Sequence, residues 1–290
     1  MKTITLTKKQ YEKLKPFYID DDVFNWEADF YVLDHGKWQY SRGNYLLKRL
    51  HITKNESIAN KLATVSLLSD KEQQIGIEEL VIPKHLVSVE DEIVGFTVPK
   101  INNTYNLGSI LNDSKVDTSK KIEYLKKLGK LIEKAHNISC LDFSFGDLHA
   151  YNFLIDKNNE NLYAVDLDSS YINTNYPLPS YYLFNTKDIG LFPNKYKSNE
   201  IGINYPDKNS DLLCYNFIIL SMLSKENISK LRLEEYFDYV NYLESIGYGE
   251  NIIKSFRNIY SNADNINPYM YLDEIPKEYG KSLYTLYKGK

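Results

Sequence analysis

The segment "FSFGDLHAYNFLID", Phe143 to Asp156, places Asp147, His149 and Asn152 on one short stretch between apolar runs. A second apolar run, "LYAV", follows and leads into "DLDSS", with carboxylates at Asp166 and Asp168. Oxygen donors of this kind suit a hard divalent cation. An amide oxygen from Asn152 and a carboxylate from Asp166, completed by water and phosphate oxygens, is a usual way to hold Mg²⁺. Asp147, one loop-turn away, could orient an attacking hydroxyl or accept its proton. The competing account is that Asp and Asn stand here because turns favour them. For any one of these residues the two accounts are even. For all three at this spacing, bracketed by buried-type strands, chemistry is the better one.

The donors can meet only if the chain between them doubles back. "DKNNEN" supplies turn residues between "FLI" and "LYAV", so a hairpin would bring Asn152 and Asp166 to neighbouring strand ends. Upstream, "DFYVLD", a turn at Gly36 and "NYLLKRLH" read as antiparallel strands. "ESIANKLATVSLL" reads as a helix with Ile58, Leu62 and Val65 at helical spacing and Asn55 as a candidate N-cap. "HLVSVEDEIVGFTVPKI" is a hairpin turning at "EDE", and "KINNTYNLG" a connector. Beyond it, "SKKIEYLKKLGKLIEKAHNI" carries an apolar stripe at Ile122, Leu125, Leu128 and Ile132. Asp211 to Leu223, apolar nearly all round, reads as a helix buried in a core.

The chain has 290 residues, 43% hydrophobic and 26% charged, enough for one two-lobed domain or two small ones. A net charge of −4 argues against a surface built to grip nucleic acid. Two cysteines and five scattered histidines offer neither a disulfide framework nor a zinc site. The N-terminus lacks an apolar signal-peptide core, and no apolar run approaches the roughly 20 residues that span a bilayer. A cytoplasmic protein without membrane or nucleic-acid partners is expected.

"GDLHAYNFLID…AVDLDSS" resembles the catalytic-loop and metal-loop pair of the bacterial protein-kinase-like superfamily. It is similar to eukaryotic-type Ser/Thr kinase domains and shares the "DLHxxN" form with aminoglycoside-type phosphotransferases. The resemblance implies an α+β, bilobal protein-kinase-like fold in one domain, residues 1–290. Its β-rich N-lobe would span 1–100 and its mostly helical C-lobe 101–290. It also implies ATP and Mg²⁺ as cofactors, with γ-phosphoryl transfer to a hydroxyl. Asp147 matches the catalytic-loop aspartate. Asn152 and Asp166 match the metal ligands, and Asp168 would follow the metal position, facing the loop. His149 stands where eukaryotic protein kinases carry a lysine, and Gly146 where they carry an arginine.

Lys48 in "YLLKRLH" matches the lysine that holds the α- and β-phosphates; a solvent-facing strand lysine is the alternative. Its helix partner would be Glu56, or Glu72 beyond the evident helix end. Glu56 could equally be an acid complementing a helix N-terminus. Val98 falls where the fifth strand runs into the adenine-binding hinge. Asp211 matches the aspartate that braces the catalytic loop, its alternative being a cap of its own helix with Ser210. The glycine-rich phosphate-covering loop has no counterpart in "DDDVFNWEADFYV". The Ser169–Ser210 stretch could form an activation-type segment, which favours a protein Ser/Thr as acceptor. A small-molecule acceptor, or a non-catalytic scaffold of the same fold, remains open.

Overall fold

Among the described residues six of the eleven strands lie before residue 100, and six of the eight α-helices lie after it. The computed structural model describes residues 1–17, 28–33, 45–51, 56–172, 207–225, 228, 231–258, 267–276 and 283–289. The acidic glycine-free stretch before Ala28, the turn at Gly36, the cap at Asn55 and most of Ser169–Ser210 lie outside the described residues.

The arrangement is α+β. In the first part come β1 (Lys2–Leu6), α1 (Lys8–Tyr11), β2 (Lys15–Pro16), β3 (Ala28–Leu33), β4 (Tyr45–Leu50), α2 (Glu56–Ile75), β5 (His85–Val89) and β6 (Glu92–Pro99). They build a six-stranded sheet ordered β1-β5-β6-β4-β3-β2. Only the β1–β5 pair is parallel. The β5–β6 hairpin turns at Glu90 and Asp91, both with positive φ (49° and 67°), the backbone that matches strand twist in a tight turn.

Both faces of this sheet are covered. Successive side chains of β4 alternate, so Leu47 packs with Leu6, Leu14, Leu33 and Val87 on one face. Leu50 packs with Ala28 and Phe96 on the other, against Ile58 and Val65 of α2. Lys48 shares this second face with Leu50, which buries it. Gly95 of β6 lies against the same point of β4. A Cβ there would come within 2.0 Å of the Lys48 carbonyl oxygen, so only glycine allows the approach.

The helix α2 runs to Ile75, beyond the apparent end of its apolar pattern, and stops at Gly76 in the left-handed region (φ 62°). The polar "SDKEQQ" stays helical because Leu68 and Ile75 continue the buried stripe across it.

Past β6, the expected connector contains β7 (Thr104–Asn106) and α3 (Leu107–Asn112). Then come α4 (Thr118–His136), β8 (Phe143–Ser144), β9 (Phe153–Asp156), β10 (Leu162–Ala164), β11 (Tyr171–Ile172) and α5 (Lys208–Ser224). The chain continues with α6 (Leu233–Ser245), α7 (Glu250–Asn258) and α8 (Leu283–Lys288). The main core collects Ile122, Leu125, Leu128 and Ile132 of α4, most of the apolar residues of α5 from Leu212 to Leu223, and Leu68 and Ile75 of α2. Backbone hydrogen bonds stitch the sheet-bearing part to this core: Ala164 donates to Glu79 (2.8 Å) and Val81 to Ala164 (2.9 Å). Among the described residues no helix is long and apolar enough to cross a membrane.

Candidate active site

The loop that follows β8 is shaped by one glycine and one buried carboxylate. Gly146 takes φ 70°, a conformation glycine adopts without steric cost, and lets the chain turn so that Asp147 N–H donates to Phe145 O (2.7 Å). Beneath the turn lies Asp211 in the first turn of α5. Its Oδ2 accepts from Phe145 N–H (2.8 Å) and lies 2.9 Å from His136 Nε2, and its Oδ1 accepts from Gly146 N–H (3.3 Å). The helix cap is a different residue, Asp207, whose side chain accepts from Ser210 N–H (2.7 Å). Asp211 is therefore free to reach across to the loop. Burial pushes its carboxyl above the ordinary range, and His136 with the two amides offsets only part of that.

Asn152 and Asp166 are neighbours, as the hairpin requires. The β9 and β10 strands pair antiparallel, with Ala164 opposite Phe153, and Val165 N–H then donates to Asn152 O (2.9 Å). The Asn152 amide donates through Nδ2 to Asp147 O (3.0 Å), which leaves its Oδ1 as the unused acceptor. Asp166 has φ 62° and ψ 43°, left-handed backbone that costs a non-glycine residue about 1 kcal/mol or more. Such positions persist where the surroundings impose them, and here the chain leaves β10 and enters the turn Leu167–Ser169.

Lys48 reaches this turn from the sheet. Its ammonium donates to Asp166 Oδ1 and to Asp168 Oδ1 (2.9 Å), and Phe96 lies under it at 5.8 Å. Lys61, on the buried side of α2, stands 3.6 Å from Asp168 Oδ2. Two ammonium groups thus face two carboxylates. Burial alone would discharge Lys48, but Asp166 and Asp168 outweigh it and raise its pKa. Burial likewise opposes ionisation of Asp168, and here Lys48 and Lys61 prevail and hold its carboxyl below the ordinary range. Asp166 is pushed the other way, by burial and by the like charge of Asp168 against the pull of Lys48. Its side chain nonetheless remains 36% exposed.

Asp147 has one carboxylate oxygen, Oδ1, buried without a hydrogen-bond partner, and the other 3.7 Å from His149 Nε2. Burial disfavours the charged imidazole, yet Asp147, with Asp166 behind it, raises the His149 pKa. Orphaned buried oxygens are uncommon and expected where a ligand completes the site. The exposed side of Asp166 and the unused amide oxygen of Asn152 are donors that fit a hard cation shared with phosphate and water. Among the described residues no group of three or more His, Cys, Asp or Glu could hold a metal without such help.

Several sequence expectations need correction. Glu72 lies on α2 rather than beyond it. It pairs with Lys84, so it is no partner for Lys48. Glu56 opens α2, but its side chain lies outside the described residues. Asp168 does not face the loop; it is 1% exposed and bound to Lys48, because the turn after Asp166 folds it inward beneath the sheet's lysine. Lys48 is buried rather than solvent-facing. Val98 sits on β6 opposite Leu46, half-buried against the cluster of Phe96, Ile58 and Val65. Lys61 escaped sequence reasoning although a signal was present: Ile58, Lys61, Val65 and Leu68 are three or four apart, so the lysine occupies a core position of the stripe.

No protein-family model matches the chain, and no curated protein matches it. The functional reading therefore stands on the residues and their geometry.

Proposed function

We propose that this protein is an ATP-dependent phosphotransferase with a bilobal protein-kinase-like fold, carrying the γ-phosphoryl of ATP to a hydroxyl. A protein Ser or Thr is the preferred acceptor. One observation carries the reading: Lys48 contacts Asp166 across a sequence separation of 118 residues, at the strand end that also presents Asn152 and, through it, Asp147. A lysine, a carboxylate, an amide oxygen and a second carboxylate, brought together from a sheet and a hairpin, are the parts that in-line phosphoryl transfer uses.

In this reading Asp166 and the Asn152 oxygen hold Mg²⁺, which supplies neutralisation of charge developing on the phosphate oxygens. Lys48 turns one of its three N–H donors from Asp166 to the nucleotide phosphates. Asp147 orients the acceptor hydroxyl and takes its proton on Oδ1, the oxygen that lacks a partner. His149 stands beside Asp147, which with Asp166 raises its pKa, so its ring N–H would lie where the transferring group passes. Asp211 keeps the loop in register by holding the Phe145 and Gly146 amides. Val98 lines the apolar wall on the Lys48 face of the sheet, where an adenine ring would pack.

The test is γ-labelled ATP given to the wild type and to Asp147→Asn, alone and with a cell extract. Transfer by the wild type only, with ATP–Mg²⁺ thermal shifts equal in both, is the expected outcome. Equal labelling by both proteins would remove Asp147 from the chemistry. Nucleotide binding without transfer by either would make the protein a scaffold.

A further inference from the structure

We propose that Asp168 is the anchor of Lys48, and that Lys61 of α2 is the counter-cation that holds Asp168 in that role. The helix beside the sheet would then contribute a cation to the lysine's network, and the bridging acid would come from the Asp166–Ser169 turn itself. The consequence for nucleotide binding rests on the phosphotransferase reading; the anchor rests on geometry alone.

The two carboxylates on Lys48 are not equivalent. Asp166 is partly exposed and adjoins Asn152, so it is the one able to serve a bound ligand. Asp168 is enclosed, and a buried carboxylate holding one ammonium cannot be traded for water. Its Oδ2 has no hydrogen bond, and the Lys61 ammonium lies 3.6 Å from it. Lys61 is itself 3% exposed, so both groups are already desolvated and their attraction is weakly screened. If Asp166 gave up Lys48 for a ligand, Asp168 would still hold the ammonium over the same spot. Lys48 could then redirect one donor without losing its place. Because Lys61 belongs to α2, any shift of that helix relative to the turn would reach Lys48 through a single carboxylate. Asp168 and Lys61 are positioning residues in this scheme.

The experiment reads Lys48 directly, without nucleotide. The intact protein is treated at pH 7.5 with an amine-acylating ester, and the rate at Lys48 is followed by peptide mass spectrometry in variants confirmed to melt cooperatively. Lys48 is buried and reacts only when it leaves its place, so Asp168→Asn, which removes the enclosed anchor, should speed its acylation about tenfold. Asp166→Asn should speed it clearly less. Lys61→Met should also speed it and Lys61→Arg should restore the wild-type rate; these variants carry the test if Asp168→Asn does not fold. A rate indifferent to both Asp168→Asn and Lys61→Met, or a larger change in Asp166→Asn, would overturn the anchor. In parallel, Asp168→Asn should raise the ATP KM by about tenfold, and Lys61→Met should add nothing in a Lys48→Met background. If wild type binds no nucleotide while the acylation order holds, the phosphotransferase reading falls and the anchor stands.

Discussion

Asp168 and Asp211 are hidden to the same degree, each 1% exposed, yet their carboxyls are pushed in opposite directions. Burial acts on both alike, against the charged form. What differs is the company. Asp168 faces two ammonium groups, Lys48 and Lys61, and full charges at short range overcome desolvation. Asp211 faces two backbone amides and one imidazole, which satisfy its oxygens without matching the cost of burying its charge. The lysine-faced site is an electrostatic cluster in which two ammonium groups face two carboxylates. The amide-faced site is a brace whose geometry is fixed by the backbone it holds. Under the proposed function, one suits a place where a charged ligand arrives, the other a loop that must not move.

The contrast can be broken experimentally, and the largest effect is expected at its ligand-facing edge. If the protein transfers phosphoryl groups as proposed, Asp166→Ala should lower that transfer by about three orders of magnitude or more, with urea unfolding little changed, since the carboxylate would act on charge that develops during reaction. Comparable activity in that variant would move the proposed metal site elsewhere. Lys48→Met comes next, with turnover down by about two orders of magnitude and a raised ATP KM in steady-state assays. Asp211→Ala should act mainly on the fold. It leaves the Phe145 and Gly146 N–H groups buried without acceptors, a loss of about 3 kcal/mol in urea unfolding at neutral pH.

The smallest effect belongs to His149, 38% exposed beside Asp147. Its pKa is raised above 6.5 in the fold, because Asp147 and Asp166 outweigh burial, so the folded chain holds the proton more tightly than the unfolded chain does. Its stabilisation is therefore complete below pH 6.5 and disappears as pH rises through the folded value. His149→Gln should lower the melting temperature at pH 5.5 and leave it nearly unchanged at pH 9. A loss that is equal at both values would mean that the ring matters by shape and not by charge.

Local pattern determined much of this protein. The stripe Ile122, Leu125, Leu128 and Ile132 announces α4, the apolar run after Asp211 announces a buried helix, and "FLI" with "LYAV" announces the hairpin that sets Asn152 against Val165, next to Asp166. These are short-range consequences of side-chain period and turn chemistry, which one segment carries by itself. Other features waited for tertiary structure. The parallel pairing of β1 with β5 joins segments about eighty residues apart, and nothing in "KTITL" names its partner. The helix α2 outran its evident apolar pattern because Ile75 finds a place in the main core. Asp168 reads in sequence as a spare carboxylate beside Asp166. Only the left-handed backbone at Asp166 decides that it turns inward, and only the stacking of α2 on the sheet brings Lys61 to meet it. Charge clusters of this kind are set by distances between elements, and residue types alone do not specify those distances.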